Sequence, residues 1–241
     1  MNCLNFGNPE HAEVMWQLSE AIDGMGDACR ALGVPVIGGN VSLYNESLGR
    51  DIDPTPVVGV LGLIDHLERR PPGLRLVDGD AVVLLGAGGR RELAGSRWAW
   101  EVHGHRGGTL PDLDLDAHRS LLALVCALVT DGIVDGVHDV ADGGLGAALA
   151  EMAAASDVGA RVDGIADHAE LFSEAPSRVL ACVPPDGVER VRAAAEKEGV
   201  ALTVVGRAGG DRLVVDGLVD VAVSDVAEAW RTAVPVALGE I

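Results

Sequence analysis

A chain of 241 residues has room for one large or two modest domains, at roughly 100–200 residues each. Its 37 Asp and Glu against 18 Lys and Arg leave a formal charge of −19. That balance excludes nucleic acid and anionic membranes as partners, because either needs a compensating basic face. The first ten residues hold a cluster of carboxamides and glycine, Asn2-Cys-Leu-Asn-Phe-Gly-Asn-Pro-Glu10. A helix is predicted to follow, entered through Asn8 as N-cap, Pro9 at the first helical position and Glu10 complementing the dipole. Val14, Leu18, Ile22, Met25, Cys29 and Leu32 recur at spacings of three and four and form one apolar stripe, and Gly33 closes the helix. Val34-Pro-Val-Ile37 reads as a strand, so Gly38 and Gly39 fall where it runs out and where positive φ or close ligand contact is cheap. Asn40 and Ser42 point to one side if the chain stays extended. Spacing alone also allows an ordinary turn at Gly-Gly-Asn and a solvated hydroxyl at Ser42.

Pro54-Thr-Pro56 precedes Val57–Ile64, an apolar run too short for a typical buried helix and rich in branched residues, hence a predicted strand that completes a first unit. Glu68-Arg-Arg-Pro-Pro-Gly73 is charged and proline-broken, which places a junction near residues 66–76 and domains over 1–68 and 75–241. The second unit alternates strands with helices: strand Ala81–Leu85, helix Leu113–Thr130, alanine-rich helix Gly143–Ala155, strand Arg178–Val183, helix Asp186–Glu198 and strand Ala201–Val205. Asp211–Val215 and Val219–Val223 add a hairpin. Gly86-Ala-Gly-Gly89 follows a strand, as phosphate loops do, but has neither the Lys-Ser/Thr of a P-loop nor the span of G-x-G-x-x-G, and reads as structural. Trp98 and Trp100, two apart, read as core packing. Asp139 and Asp142 either hold a metal or cap the helix that begins near Gly143.

Cys3, Cys29, Cys126 and Cys182 are widely separated with no C-x-x-C pair, which indicates neither a disulfide framework nor a zinc site. No apolar run free of charge and glycine reaches the roughly 18 residues of a membrane span, and the start lacks the order of a signal peptide. The cytoplasm is the expected location.

The wording of several segments carries more than their spacing. Asn2–Glu10, Gly38-Gly-Asn-Val-Ser-Leu-Tyr-Asn-Glu46, His138-Asp-Val-Ala-Asp-Gly-Gly-Leu145, and Leu171-Phe-Ser-Glu174 with Ser177-Arg178 closely resemble the synthetase subunit of phosphoribosylformylglycinamidine synthase. That family is the ATP-dependent, amidine-forming ligase of purine biosynthesis. Ala141 stands where the family has serine. The resemblance runs from Asn2 to about Leu238. Aminoimidazole ribonucleotide synthase, of the same superfamily, lacks the Asn5–Glu10 wording.

The resemblance implies an α/β (α+β) fold: the C-terminal part of a ferredoxin-like-type first domain, then a complete α/β second domain of the aminoimidazole ribonucleotide synthase superfamily. Together these would be the end of a subunit built from two tandem copies. The family's catalytic histidines, most acidic metal ligands and part of the substrate pocket lie in the first copy. No catalytic residue is therefore assigned here, and His11, His66, His103, His105, His118, His138 and His168 are read as ordinary or structural. The same comparison favours capping for Asp139 and Asp142. Carried over singly, Asn2, often aspartate in the family, implies an ATP contact, as does Gly39, where a side chain would block approach. Asn40 implies a Mg2+ ligand and Ser42 a substrate contact. The implied substrate is formylglycinamide ribonucleotide, whose amide oxygen is phosphorylated by ATP before ammonia from a glutaminase subunit displaces the phosphate. A small bridging subunit completes the complex. The alternative is an isolated nucleotide-binding or subunit-docking module without turnover.

Overall fold

The computed structural model describes residues 1–64 and 70–240 and divides into two units, Met1–Glu68 and Arg69–Ile241. His66 and the start of the predicted junction lie outside the described residues.

The first unit runs β1 (Asn2–Asn5), α1 (Ala12–Leu32), β2 (Gly39–Ser42), β3 (Glu46–Ser47), β4 (Arg50–Asp51) and β5 (Thr55–Val58). β1 is the middle of a three-stranded sheet, parallel to β2 and antiparallel to β5, while β3 and β4 form a short hairpin. The parallel pair needs a long crossover, and α1 provides it. Leu4, Phe6 and Val14 are buried, with Leu18, Ala21, Met25 and Leu43 packed around them.

Several predicted boundaries move. Asn8 does not cap α1: its Oδ1 accepts from the Glu10 N–H at 2.9 Å and its carbonyl from the His11 N–H at 3.0 Å. These bonds close a separate turn, and the helix starts at Ala12 with His11 in the N-cap position and no side-chain cap. The inner stripe runs through Ala21, leaving Ile22 and Leu32 exposed. Gly33 closes the helix in the left-handed region, as expected. Val34–Ile37 is not a strand. β1 begins at Asn2, whose partner is Gly39, so the ladder has no rung for the preceding residues, and Pro35 has no N–H to offer one. The last strand is Thr55–Val58 rather than Val57–Ile64, and Val60, Leu61 and Leu63 are exposed.

The second unit contains β6 (Ala81–Gly86), α2 (Arg97–His103), α3 (Leu115–Thr130), β7 (Gly136–Asp139), α4 (Gly144–Ser156), β8 (Ala160–Val162), α5 (His168–Leu171) and β9 (Arg178–Val183). It continues through α6 (Val188–Glu198), β10 (Leu202–Ala208), β11 (Arg212–Val215), β12 (Val219–Ala222) and α7 (Val223–Leu238). Seven strands pair in the order β12-β11-β8-β10-β6-β9-β7, antiparallel except for β8 with β11. Strand alternation divides the interior in two. Val82, Leu84, Leu180 and Cys182 pack with Leu145, Leu149 and Met152 of α4 and Val223 of α7. Val83, Leu85, Ala181 and Val183 pack with Leu121, Leu124 and Leu128 of α3 and Val191 and Ala195 of α6. Both faces are covered, which is why β6 and β9 read as continuous apolar runs.

The hairpin of β11 and β12 forms as predicted, but Val223 already belongs to α7, which the hairpin reading did not foresee. Trp98 and Trp100 sit on α2, where residues two apart face different directions. Only Trp98 packs, stacked on Phe172 with ring centroids 4.4 Å apart; Trp100 is exposed with the Arg106 guanidinium 4.2 Å over its ring. Gly86 is structural: it has φ +98°, and a Cβ there would lie 2.2 Å from the Ser177 carbonyl oxygen. No helix of the described residues is long and apolar enough to cross a membrane.

Asp80 enters this core with 5 % of its surface exposed and accepts from the Cys182 thiol at 3.4 Å. Burial raises its carboxyl pKa, and Asp135 nearby adds to the rise. Burial likewise pushes the Cys182 thiol up to about 12. Because the folded state holds the Asp80 proton to higher pH than the unfolded chain, the destabilisation is absent below the unfolded value and grows as pH climbs through the folded one. Asp80→Asn should therefore raise stability by about 1 kcal/mol, a few degrees in melting midpoint, near pH 8, with a smaller gain near pH 4. An equal gain at both pH values in thermal melts would rule out ionisation as the cause.

Candidate functional site

The β1–β2 ladder pairs Asn2 with Gly39, Cys3 with Asn40, Leu4 with Val41 and Asn5 with Ser42. Leu4 points into the core beneath α1, so alternation sends Asn5, Asn40 and Ser42 to the opposite face. Asn2 and Gly39 open the ladder on the helix side, where Asn2 lines an apolar groove of about 190 Å³ with Met25, Cys29, Leu32 and Val58. The four sequence-assigned residues are thus two pairs on two faces and do not converge in one cluster. Gly39 and Asn40 are exposed and Ser42 is half-buried. β2 is an edge strand, so both faces are reachable around its free side.

Gly39 has a reason to be glycine that involves no ligand. A Cβ there would lie 2.1 Å from the Asn2 carbonyl oxygen and 2.3 Å from its Oδ1. A side chain at Gly39 would therefore do more than block the approach of a nucleotide: it would first push the two strands apart.

Beyond β2 the chain turns back onto the end of β1. The Phe6 N–H donates to the Ser42 carbonyl at 3.0 Å and the Tyr44 N–H to the Gly7 carbonyl at 2.8 Å. The Asn45 carboxamide donates to the Phe6 and Ser42 carbonyls, each at 3.0 Å, and accepts from the Ser42 hydroxyl at 3.2 Å. Asp51 ties the hairpin to the same place, accepting from the Asn8 N–H at 2.7 Å and pairing with His11 Nδ1 at 2.6 Å. The Asn8 N–H, then the His11 ring, hold the Asp51 carboxyl below its ordinary value. Sequence reasoning singled out neither Asn45 nor the His11–Asp51 pair. The Ser-x-x-Asn spacing carried a turn signal for the first. Nothing local could have joined residues forty apart in the second.

Asn40 brings one hard oxygen donor. Among the described residues no group of three or more His, Cys, Asp or Glu could hold a metal ion. A magnesium ion at Asn40 would therefore take this carboxamide as one ligand, and phosphate oxygens suit the remaining positions.

In the second unit, His138 lies between Asp139, at 3.1 Å, and Glu151, at 2.6 Å, beside a cavity of about 240 Å³. Neither Asp139 nor Asp142 caps α4. The N-cap position is Gly143, whose N–H donates to Glu174 Oε1 at 2.8 Å, and the same oxygen accepts from the Arg97 N–H at 2.7 Å. The capping expectation fails because a carboxylate far along the chain reaches the helix start first. In the Gly86–Gly89 loop, the Gly89 N–H is likewise taken up by Glu170 Oε1 at 3.1 Å.

Residues 1–64 match the N-terminal domain of the AIR synthase related proteins, and residues 77–217 match the C-terminal domain of the same proteins. The chain belongs to the AIR synthase related protein family. It is 49 % identical to the phosphoribosylformylglycinamidine synthase subunit PurL of a Nocardioides species over 240 residues, covering 99 % of this chain and 31 % of that protein. It thus spans about a third of the length of the curated relatives it matches. Two solved structures of Thermotoga maritima PurL share the fold. The ATP complex gives a TM-score of 0.66 at 19 % identity, covering 94 % of this chain and 37 % of that one. The complex with FGAR gives 0.69 at 20 %, covering 94 % and 39 %.

Gly39→Ala should cost about 2 kcal/mol, within the range for forced overpacking, whether or not nucleotide is present. Thermal melts of the ligand-free protein check this, and an unchanged midpoint would return Gly39 to a purely ligand-facing role.

Proposed function

We propose that this chain forms one wall of the ATP and substrate site of a phosphoribosylformylglycinamidine synthase. The observation that carries the reading is 49 % identity to a PurL subunit across 99 % of the chain, together with a β1–β2 edge that presents carboxamide and hydroxyl groups to solvent. The reaction would convert formylglycinamide ribonucleotide, ATP and glutamine-derived ammonia to the amidine, ADP and phosphate, as a step of purine biosynthesis in the cytoplasm. The partners of the complex would be a glutaminase subunit and a small bridging subunit.

The wall works by placement. Asn2 and Gly39 would border the nucleotide on the helix side of the ladder, and Ser42 would meet the ribonucleotide on the other. Asn40, on the same face as Ser42 and beside the free edge of β2, would hold Mg2+, which would neutralise charge on the phosphoryl group in transfer. Holding two substrates in one geometry removes much of the entropic barrier of their encounter. None of these four side chains is an acid or base, so proton transfer belongs to groups other than these.

Asn40→Leu keeps approximate volume and removes the oxygen donor. In the intact synthetase it should lower kcat about a hundredfold, with weak recovery at raised magnesium. Wild-type activity at limiting magnesium would remove Asn40 from the metal site. The 241-residue chain alone, given ATP, magnesium, formylglycinamide ribonucleotide and ammonia, should release neither ADP nor amidine above background. Sustained turnover would show that an entire active site lies within it.

A further inference from the structure

We infer that Ser42 meets its ligand as a hydrogen-bond acceptor, so that the group it recognises is an N–H or O–H of the ribonucleotide and not a phosphate oxygen, and that Asn45 is the positioning residue that sets this polarity. The inference rests on the proposed role of Ser42 as a substrate contact.

The argument is one of donors and acceptors. A carboxamide has two N–H donors at one end and an acceptor oxygen at the other. One end of Asn45 lies 3.0 Å from the Phe6 carbonyl and 3.0 Å from the Ser42 carbonyl. Only the amide nitrogen satisfies two carbonyl oxygens, because an oxygen in that place would repel both. The Asn45 oxygen is thereby turned to the Ser42 hydroxyl, 3.2 Å away, and between these two only the hydroxyl has a proton to give. Serine has a single O–H proton. With it committed to Asn45, the lone pairs of Ser42 are what remain for a ligand.

The arrangement does not depend on a ligand to hold it. Asn45 is half-buried, its own N–H donates to the Phe6 carbonyl at 3.2 Å, and the Tyr44 N–H fixes the preceding residue on Gly7. A phosphate oxygen accepts and does not donate. To bind Ser42 it would have to take the proton now given to Asn45 and leave the half-buried Asn45 oxygen without that partner, which weakens binding. A donor meets no such obstacle. The ribonucleotide offers two amide N–H groups and the ribose hydroxyls, and the assignment restricts Ser42 to these.

The test measures binding to the intact synthetase, wild type and Ser42→Ala, of the substrate, of analogues that each lack one donor by N-methylation or deoxygenation, and of the dephosphorylated nucleoside. One donor-deleted analogue should bind about tenfold more weakly to wild type, and that penalty should vanish in Ser42→Ala, while removal of phosphate costs both proteins the same factor. A phosphate penalty that shrinks in Ser42→Ala, with every donor penalty intact, would overturn the inference. Unchanged affinity of Ser42→Ala for the substrate itself would instead sink the substrate-contact reading, and the polarity assignment with it. Asn45→Ala frees that proton and should reduce the discrimination about threefold or more. Uniform weakening of all analogues by Asn45→Ala would mark Asn45 as merely structural and contradict the positioning role.

Discussion

The parallel pairing of β1 with β2 is the constraint on which the candidate site depends. Asn2 opposite Gly39 sets the register, and a shift of one residue would turn Asn40 and Ser42 to the face that carries Leu4. The contact that fixes it is close, since the strands approach until the Asn2 carbonyl occupies the space a side chain at Gly39 would need. Everything further along follows from that rung. Ser42 ends opposite Asn5, the next residues fold back onto Phe6 and Gly7, and the Asn45 carboxamide closes the turn.

The second unit solves a different problem. Its sheet is covered on both faces, and its glycine-rich segments are taken up by its own carboxylates: Glu174 on Gly143 and Glu170 on Gly89. N–H groups that could otherwise face an anion are satisfied internally. The same unit tolerates the buried Asp80 by giving it a thiol donor and raising its pKa. In the first unit, by contrast, Gly39 and Asn40 remain exposed and Ser42 half-exposed on an edge strand. The two units thus differ in how much of their backbone-accessible polar surface stays open.

How much of this could be read from the sequence depended on whether the cause was local. β6 and β9 were legible because strands buried on both faces carry unbroken apolar runs, and α6 and the β11–β12 hairpin because their periodicity and turn residues are adjacent in the chain. Tertiary competition defeated the rest. Asn8 has the chemistry of a cap but spends it on a turn, Val34–Ile37 has strand composition but no partner rung, and Asp142 is preceded at the α4 terminus by Glu174. The candidate residues were assigned by resemblance alone, and their division between two faces of the ladder could not be read with them, because it follows from the register and not from the order of residues. The polarity of Ser42 was equally hidden, since it depends on which way the Asn45 amide is turned.

Hydrogen–deuterium exchange of the intact synthetase, with and without formylglycinamide ribonucleotide and a non-hydrolysable ATP analogue, tests the central claim most directly. If the β1–β2 edge and its turn form the wall, the amides of residues 2–8 and 39–45 should gain protection when both ligands bind. Exchange there that is indifferent to both ligands, with protection confined to the second unit, would contradict the account.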